Sequence, residues 1–344
     1  MRLSIVSAAF AAAIAAVAVA AQAQPDTRLT GSGASFPFPI YSAWFKDFSS
    51  KSDGVTVDYQ SKGSGAGIQD YLNKVVDFAA SDSAMKDEDI AKAGGNVVLL
   101  PMTAGEIVVI YNLPGVSELK LPRDVYPEIF LGKVTTWNDP KIAAANPGVT
   151  LPDMPITVVV RSDSSGTTFN FTNHLAAIDA DFAAGPGAGN SVQWPATEKL
   201  VKAPKNDGVT ATVMQTPGAI GYTEYGYAKL TATPMAALEN KAGKFIPAGG
   251  EGGADALASA EFDDQMRAFI PDPEGETAYP IATFTWMIFP KSVADPAKAE
   301  AIKALVAYGL SDGQEMAEDL GYIEMPEALI EKVKLAAEKI GAGS

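Results

Sequence analysis

The chain of 344 residues is 47% hydrophobic and 9% aromatic, with 26 basic against 41 acidic side chains, one histidine and no cysteine. That length and apolar content can bury a large core and suit two domains of ordinary size. A net charge of −15 argues against a nucleic-acid partner, which needs basic surface to displace counterions, and the missing cysteines exclude disulfides, thiolate metal sites and a lipid-modified N-terminal cysteine.

Residues 1–23, MRLSIVSAAFAAAIAAVAVAAQA, place Arg2 before an Ala/Val/Ile/Phe run that ends in Ala21-Gln22-Ala23. This small-x-small ending predicts a signal peptide cleaved near Ala23 and a soluble protein exported to a bacterial periplasm. The run is short and alanine-rich for a membrane anchor, and no later segment reaches eighteen unbroken apolar residues.

Beyond it, Ile40, Ala43, Trp44 and Phe48 recur at helical spacing, and Val55, Val57 and Tyr59 alternate as in a strand. Ile68, Tyr71, Leu72 and Val75 predict a second helix, followed by the short strand VVDFAAS. NVVLL and EIVVIYN read as two further apolar strands, then a helical region spans Val125 to Val134. Ile156 to Val160, ITVVV, is apolar on both faces, as in a sheet covered by helices. The alternation predicts an α/β fold with mainly parallel central strands. AAGPGAGNS and FIPAGGEGGAD read as surface loops, and IPDPEGETAYP as a chain crossing between domains. The scattered acidic runs PDTRL, KDEDI, EFDDQ and PDPEGE read as solvated faces.

The single histidine, His174, lies in the helical run TTFNFTNHLAAI, three residues after Phe171 and one before Leu175. It reads as a helix residue, which leaves the common zinc and serine hydrolase designs without their ligands or general base.

Three strand-to-helix turns stand out. In VVVRSDSSGTTF an apolar strand runs into Arg161, Asp163, Ser165, Gly166 and Thr167 at a helix start. Free N–H groups and the positive end of the helix dipole make such a turn a place for an anion, to which the hydroxyls add donors and Arg161 a fork. Ordinary N-capping by Ser or Asp would also account for it. GSGASFPFP sets Ser35 and Phe36 before a helix near Pro37, and KGSGAGIQDYL sets Ser64, Gly65 and Gly67 at the start of another. Neither matches the nucleotide-binding glycine patterns. Ser35, Ser64, Ser165 and Arg161 could converge on one small tetrahedral anion.

GSGASFPFPIYSAW, YQSKGSGAG, DFAASDSAM, RSDSSGTTFNFT and TPGAIGYTEYGYA together resemble the periplasmic phosphate-binding proteins of the high-affinity phosphate ABC transporter, over nearly the whole chain from Leu29. The resemblance implies a two-lobe periplasmic-binding-protein fold, type II-like, with a ligand cleft between hinged lobes: 24–102 with 280–344 as lobe I and 103–279 as lobe II. It implies phosphate binding by Ser35, Phe36, Ser64, Asp82, Arg161, Ser165, Gly166 and Thr167, with Asp163 orienting Arg161 from behind. Ser35 stands where relatives commonly carry threonine, Ser164 where some carry glycine, and GSGAG where the loop can read GSSGG. The implied protein is a monomer without enzymatic activity or cofactor, whose partners are inorganic phosphate and membrane permease subunits. Asp82 would accept a hydrogen bond from the proton that phosphate retains and sulfate lacks. A binder of another oxyanion such as sulfate, or a periplasmic phosphatase on the same pocket, are the alternatives.

Overall fold

The strands of the protein take their places according to which faces they can bury. The computed structural model describes residues 26–196 and 199–341; the expected signal peptide and its cleavage point lie outside them. In chain order the strands among the described residues are β1 (Thr27–Gly33), β2 (Val55–Ser61), β3 (Phe78–Ser81), β4 (Val98–Tyr111), β5 (Lys120–Leu121) and β6 (Thr157–Arg161). They continue as β7 (Leu200–Ala203), β8 (Ala219–Glu224), β9 (Ala237–Glu239), β10 (Phe245–Ile246) and β11 (Ala282–Phe289). Eight form one sheet in the order β2-β1-β3-β11-β4-β8-β6-β7, and β10-β9-β5 form a small second sheet.

The expectation of mainly parallel central strands is corrected. Parallel pairing occupies the two wings, β2-β1-β3 and β8-β6-β7, whereas β3-β11, β11-β4 and β4-β8 at the centre are antiparallel. The cause is β11, a late strand that returns between β3 and β4. A second correction concerns NVVLL and EIVVIYN, which form the single strand β4, buried along all 14 residues. Pro101, between them, lies at a register shift opposite Thr285 and Trp286, where a bulge accommodates a residue without an N–H. Val98 to Glu106 pair with β11, and Ile107 to Tyr111 pair with β8. One strand therefore stitches the two wings together.

Helices cover both wings. Helix Phe38–Lys51 buries Ile40, Tyr41, Trp44, Phe45 and Phe48, the stripe that a 3.6-residue period places on one face. Under the other wing, Phe171 of helix Gly166–Ile178 stacks on Tyr222 of β8 with ring centroids 4.2 Å apart. A fully buried phenylalanine of this kind contributes about 1.5–3 kcal/mol. Some boundaries are shorter than the sequence pattern suggests: the helix of Ile68 ends at Leu72, leaving Val75 62% exposed, and the helix from Val125 ends at Phe130. The FIPAGGEGGAD segment is not all loop, since Phe245–Ile246 is β10 and Gly252–Leu257 is helical.

Candidate functional site

The three turns singled out by sequence lie at the C-terminal ends of β1, β2 and β6, each followed by a helix, where an open α/β sheet presents its ligand crevice. The end of β3 supplies the fourth group, Asp82. Chain geometry forces the approach. Gly63 has φ +98°, and a Cβ there would stand 2.4 Å from Asp163 Oδ2; at Gly166 it would stand 2.5 Å from Ser64 Oγ and 2.7 Å from Asp82. Only glycine lets these turns meet.

The side chains form one enclosed cluster. Ser35, Phe36, Ser64, Asp82, Ser165 and Thr167 are at most 1% exposed, and Arg161 is 5% exposed. Ser64 Oγ accepts hydrogen bonds from the N–H groups of Gly166 (3.1 Å) and Asp82 (3.2 Å) and donates towards Asp82 Oδ2 (3.3 Å). Ser165 Oγ accepts from the Thr168 N–H at 2.9 Å, so it is the helix N-cap that ordinary capping would give, with its own proton left to donate. The Phe36 ring is buried against Tyr322, and the Phe36 carbonyl accepts from the Tyr322 hydroxyl at 2.7 Å; only its backbone can serve a ligand.

Arg161 is held rigidly. Asp163 accepts from Nε at 2.8 Å and from Nη2 at 2.6 Å, a two-point grip on the guanidinium. Burial works to raise the Asp163 pKa, but the Arg161 hydrogen bonds and charge outweigh it and hold the carboxyl below its usual range. The Arg161 N–H donates to the Tyr222 hydroxyl, which also pairs with Thr168 Oγ1 at 2.7 Å. Asp82 behaves oppositely. Burial pushes its carboxyl up to about 7, against the opposing pull of the Thr285 hydroxyl, Arg161 and Ser64. Arg161 is thus neutralised by Asp163, and an anion here would depend on hydroxyl and backbone donors and on sharing a proton with Asp82.

Every sequence-predicted residue falls within this cluster or directly behind it, and two further residues belong to it. Asn206, fully buried in the first turn of helix Lys205–Gln215, donates from its N–H and its side-chain amide to Ser35 Oγ, both at 3.2 Å. The amide also reaches Thr167 Oγ1 at 3.2 Å, and Oδ1 accepts from Arg161 Nη1 at 3.4 Å. Thr285 of β11 donates to Asp82 Oδ1 at 2.8 Å. The available signal for Asn206 was a fourth strand-turn-helix start, APKNDG, in which Lys205 takes φ +59° and gives its N–H to Asp163 at 2.8 Å. Backbone strain of this kind clusters at functional sites. His174 lies outside the cluster, fully buried between the Tyr126 hydroxyl and the Pro271 carbonyl, each at 2.7 Å, and burial lowers its pKa to about 4.

The two wings touch directly around this cluster. The Gly65 N–H donates to the Ser164 carbonyl at 3.0 Å, Asn190 Nδ2 to Ser83 Oγ at 2.8 Å, and Asn170 Nδ2 to the Asp82 carbonyl at 2.7 Å.

Residues 18–313 match the family described as the PBP superfamily domain. The chain is 38% identical over 310 residues to the phosphate-binding protein PstS of Pasteurella multocida (strain Pm70), covering 89% of this chain and 88% of that protein. It is also 38% identical to the PstS protein of Haemophilus influenzae, covering 89% and 91%. Among solved structures, a high-affinity periplasmic phosphate-binding protein (PfluDING) bound with phosphate superposes with a TM-score of 0.75 at 20% identity, covering 90% of this chain and 93% of that one. A phosphate-binding protein from Stenotrophomonas maltophilia does so with a TM-score of 0.73 at 19% identity and the same coverage. The fold is thus the two-lobe α/β fold of periplasmic binding proteins, and the chain belongs to the PstS phosphate-binding protein family of the PBP superfamily.

Proposed function

We propose that the protein binds inorganic phosphate and delivers it to the membrane permease subunits of a phosphate ABC transporter, as a non-enzymatic monomer in the periplasm whose signal peptide is removed near Ala23. The observation that carries this reading is the single buried cluster in which Ser35, Ser64 and Asp82 from one wing meet Arg161, Ser165, Gly166 and Thr167 from the other. The ligand groups are the Ser35, Ser64, Ser165 and Thr167 hydroxyls, the Phe36 and Gly166 backbones, the Arg161 fork and the Asp82 carboxyl. Asp163 acts through Arg161, and Asn206 and Thr285 act through Ser35 and Asp82.

We read lobe I as residues 24–102 with 280–344 and lobe II as 103–279. The antiparallel β4–β11 pair supports this division, because the sheet passes from one wing to the other along it. Phosphate joining groups from both lobes would hold them closed.

Asp82 favours phosphate over sulfate. A buried carboxylate accepts the proton of a phosphate oxygen and has nothing to accept from sulfate. Calorimetry on phosphate-stripped protein tests the reading: tight binding of phosphate, none of sulfate and none of a phosphate monoester are expected. Preference for sulfate, or turnover of the ester, would overturn it.

A further inference from the structure

Between the end of β1 and helix Phe38–Lys51 lie the carbonyls of Ala34, Ser35 and Phe36, residues at most 1% exposed. A buried carbonyl outside regular structure needs a donor. Each of these three receives a tyrosine hydroxyl from a different part of the fold. Tyr59 of β2 donates to the Ala34 carbonyl at 2.8 Å, and Tyr227 of helix Tyr225–Thr231 donates to the Ser35 carbonyl at 2.6 Å. Tyr322, between helices Ala317–Leu320 and Glu327–Ala337, donates to the Phe36 carbonyl at 2.7 Å. The Ser35 carbonyl also receives the Phe38 N–H, at a longer 3.2 Å. Neither the Ser35 nor the Phe36 N–H reaches a protein acceptor among the described residues.

A trans peptide is planar, so its carbonyl and the N–H of the next residue point in opposite directions. Holding the Ala34 carbonyl therefore aims the Ser35 N–H, and holding the Ser35 carbonyl aims the Phe36 N–H. A donor on the carbonyl also polarises the peptide and strengthens the N–H opposite. The third tyrosine differs, because Phe36 is followed by Pro37 and the peptide that Tyr322 holds has no N–H to aim. Burial raises the pKa values of Tyr59 and Tyr227 well above the ordinary tyrosine value, so both hydroxyls stay protonated donors.

We propose, on the phosphate reading above, that Tyr59 and Tyr227 are positioning residues, which fix the Ser35 and Phe36 N–H groups towards the anion through the carbonyls on the far side of the same peptides. Tyr59 acts within one wing, from the strand next to β1. Tyr227 follows β8, in the other wing. Its bond to Ser35 spans the two wings, so the closure that encloses phosphate also sets the Phe36 N–H upon it.

The test joins phosphate calorimetry to amide NMR spectra of protein isotopically labelled at serine and phenylalanine. In the parent, phosphate is expected to move the Ser35 and Phe36 amide protons downfield. Tyr227→Phe is expected to bind phosphate about fivefold more weakly, the scale of one hydrogen bond, and to shrink the phosphate-induced shift of Phe36. Tyr322→Phe is expected to lose less affinity and to keep that shift. Should Tyr227→Phe not fold by circular dichroism, Tyr59→Phe is expected to show the same loss of affinity, with the Ser35 shift as its readout. A folded Tyr227→Phe or Tyr59→Phe with parental affinity and parental amide shifts would overturn the proposal, even if its stability fell, and so would an equal effect of Tyr322→Phe on the Phe36 shift. A parent that binds phosphate without moving either amide would overturn this assignment alone, whereas a parent that does not bind phosphate would overturn the phosphate reading with it.

Discussion

Replacing Asp82 by asparagine keeps the size of the side chain and exchanges a buried acceptor for a group that also donates. The structure sets the scale. Burial carries the carboxyl from its ordinary 3.8 up to about 7, a rise of about 3 pKa units, or about 4 kcal/mol held against the charged form at 1.36 kcal/mol per unit. Above pH 7 the carboxylate has the Thr285 and Ser64 hydroxyls as hydrogen-bond partners and the charge of Arg161 nearby. A phosphate proton would add a partner, whereas a sulfate oxygen would add repulsion, and sites that leave a buried polar group unpaired discriminate by about 10⁴. In Asp82→Asn the repulsion is gone and the amide can face either anion. We expect sulfate affinity to rise about a hundredfold, from about 1–3 kcal/mol of recovered pairing, while phosphate affinity falls by about tenfold or less because the amide still pairs with a phosphate oxygen. Sulfate and phosphate titrations at pH 8 and pH 6 make the assay. In the parent, protonation of Asp82 below pH 7 supplies an O–H donor, so sulfate rejection should weaken at pH 6; in Asp82→Asn it should not change with pH. A folded variant that binds phosphate and rejects sulfate as strongly as the parent at both pH values would refute the role given to Asp82.

Arg161→Ala is expected to weaken phosphate binding by about 2–4 kcal/mol, the scale for charge-assisted hydrogen bonds in a desolvated site, with Asp163 left uncompensated; unchanged affinity at moderate salt would remove Arg161 from the site. Small-angle scattering should give a smaller radius of gyration with phosphate than without, and equal values would contradict hinge closure on the ligand. The raised Asp82 pKa also fixes a sign for stability. Between pH 4 and 7 the folded, phosphate-free protein holds a proton that the unfolded chain has lost, so this residue's contribution is full at low pH and declines as pH rises towards 7. Urea denaturation at pH 4.5 and 7.5 should therefore show the parent losing stability relative to Asp82→Asn, by about 3 kcal/mol; parallel pH profiles would show that Asp82 is not the group responsible.

The parts of the site legible in the sequence are those whose chemistry is local. Ser35, Ser64 and Ser165 sit in turns where glycine, hydroxyl and helix start fall within a few residues, and a strand-turn-helix unit can be read without knowing its neighbours. Arg161 and Asp163 fall in the same short run. Asp82 became legible through its motif and not through its surroundings, because what distinguishes it, burial beneath Thr285, comes from a strand 203 positions away. Asn206 was missed for a similar reason. Lys-Asn-Asp-Gly reads as an ordinary turn, and its place against Ser35 depends on how one wing meets the other. The central antiparallel pairing was equally hidden, since β11 is buried on both faces like a parallel strand, and nothing in its composition reports which neighbours it will join.

The position of β11 also orders events in time. Residues 282–289 must insert between β3 and β4, strands completed by residue 111, so the sheet cannot close until nearly the whole chain has been synthesised. Contacts of such long sequence separation fold slowly. The first wing alone has an open edge on either side of the missing strand, and β4 without β11 exposes a buried, largely apolar surface. A chain of this design therefore keeps that surface uncovered until its last strand arrives. Refolding from urea is expected to be a single slow cooperative phase, with no early folded half.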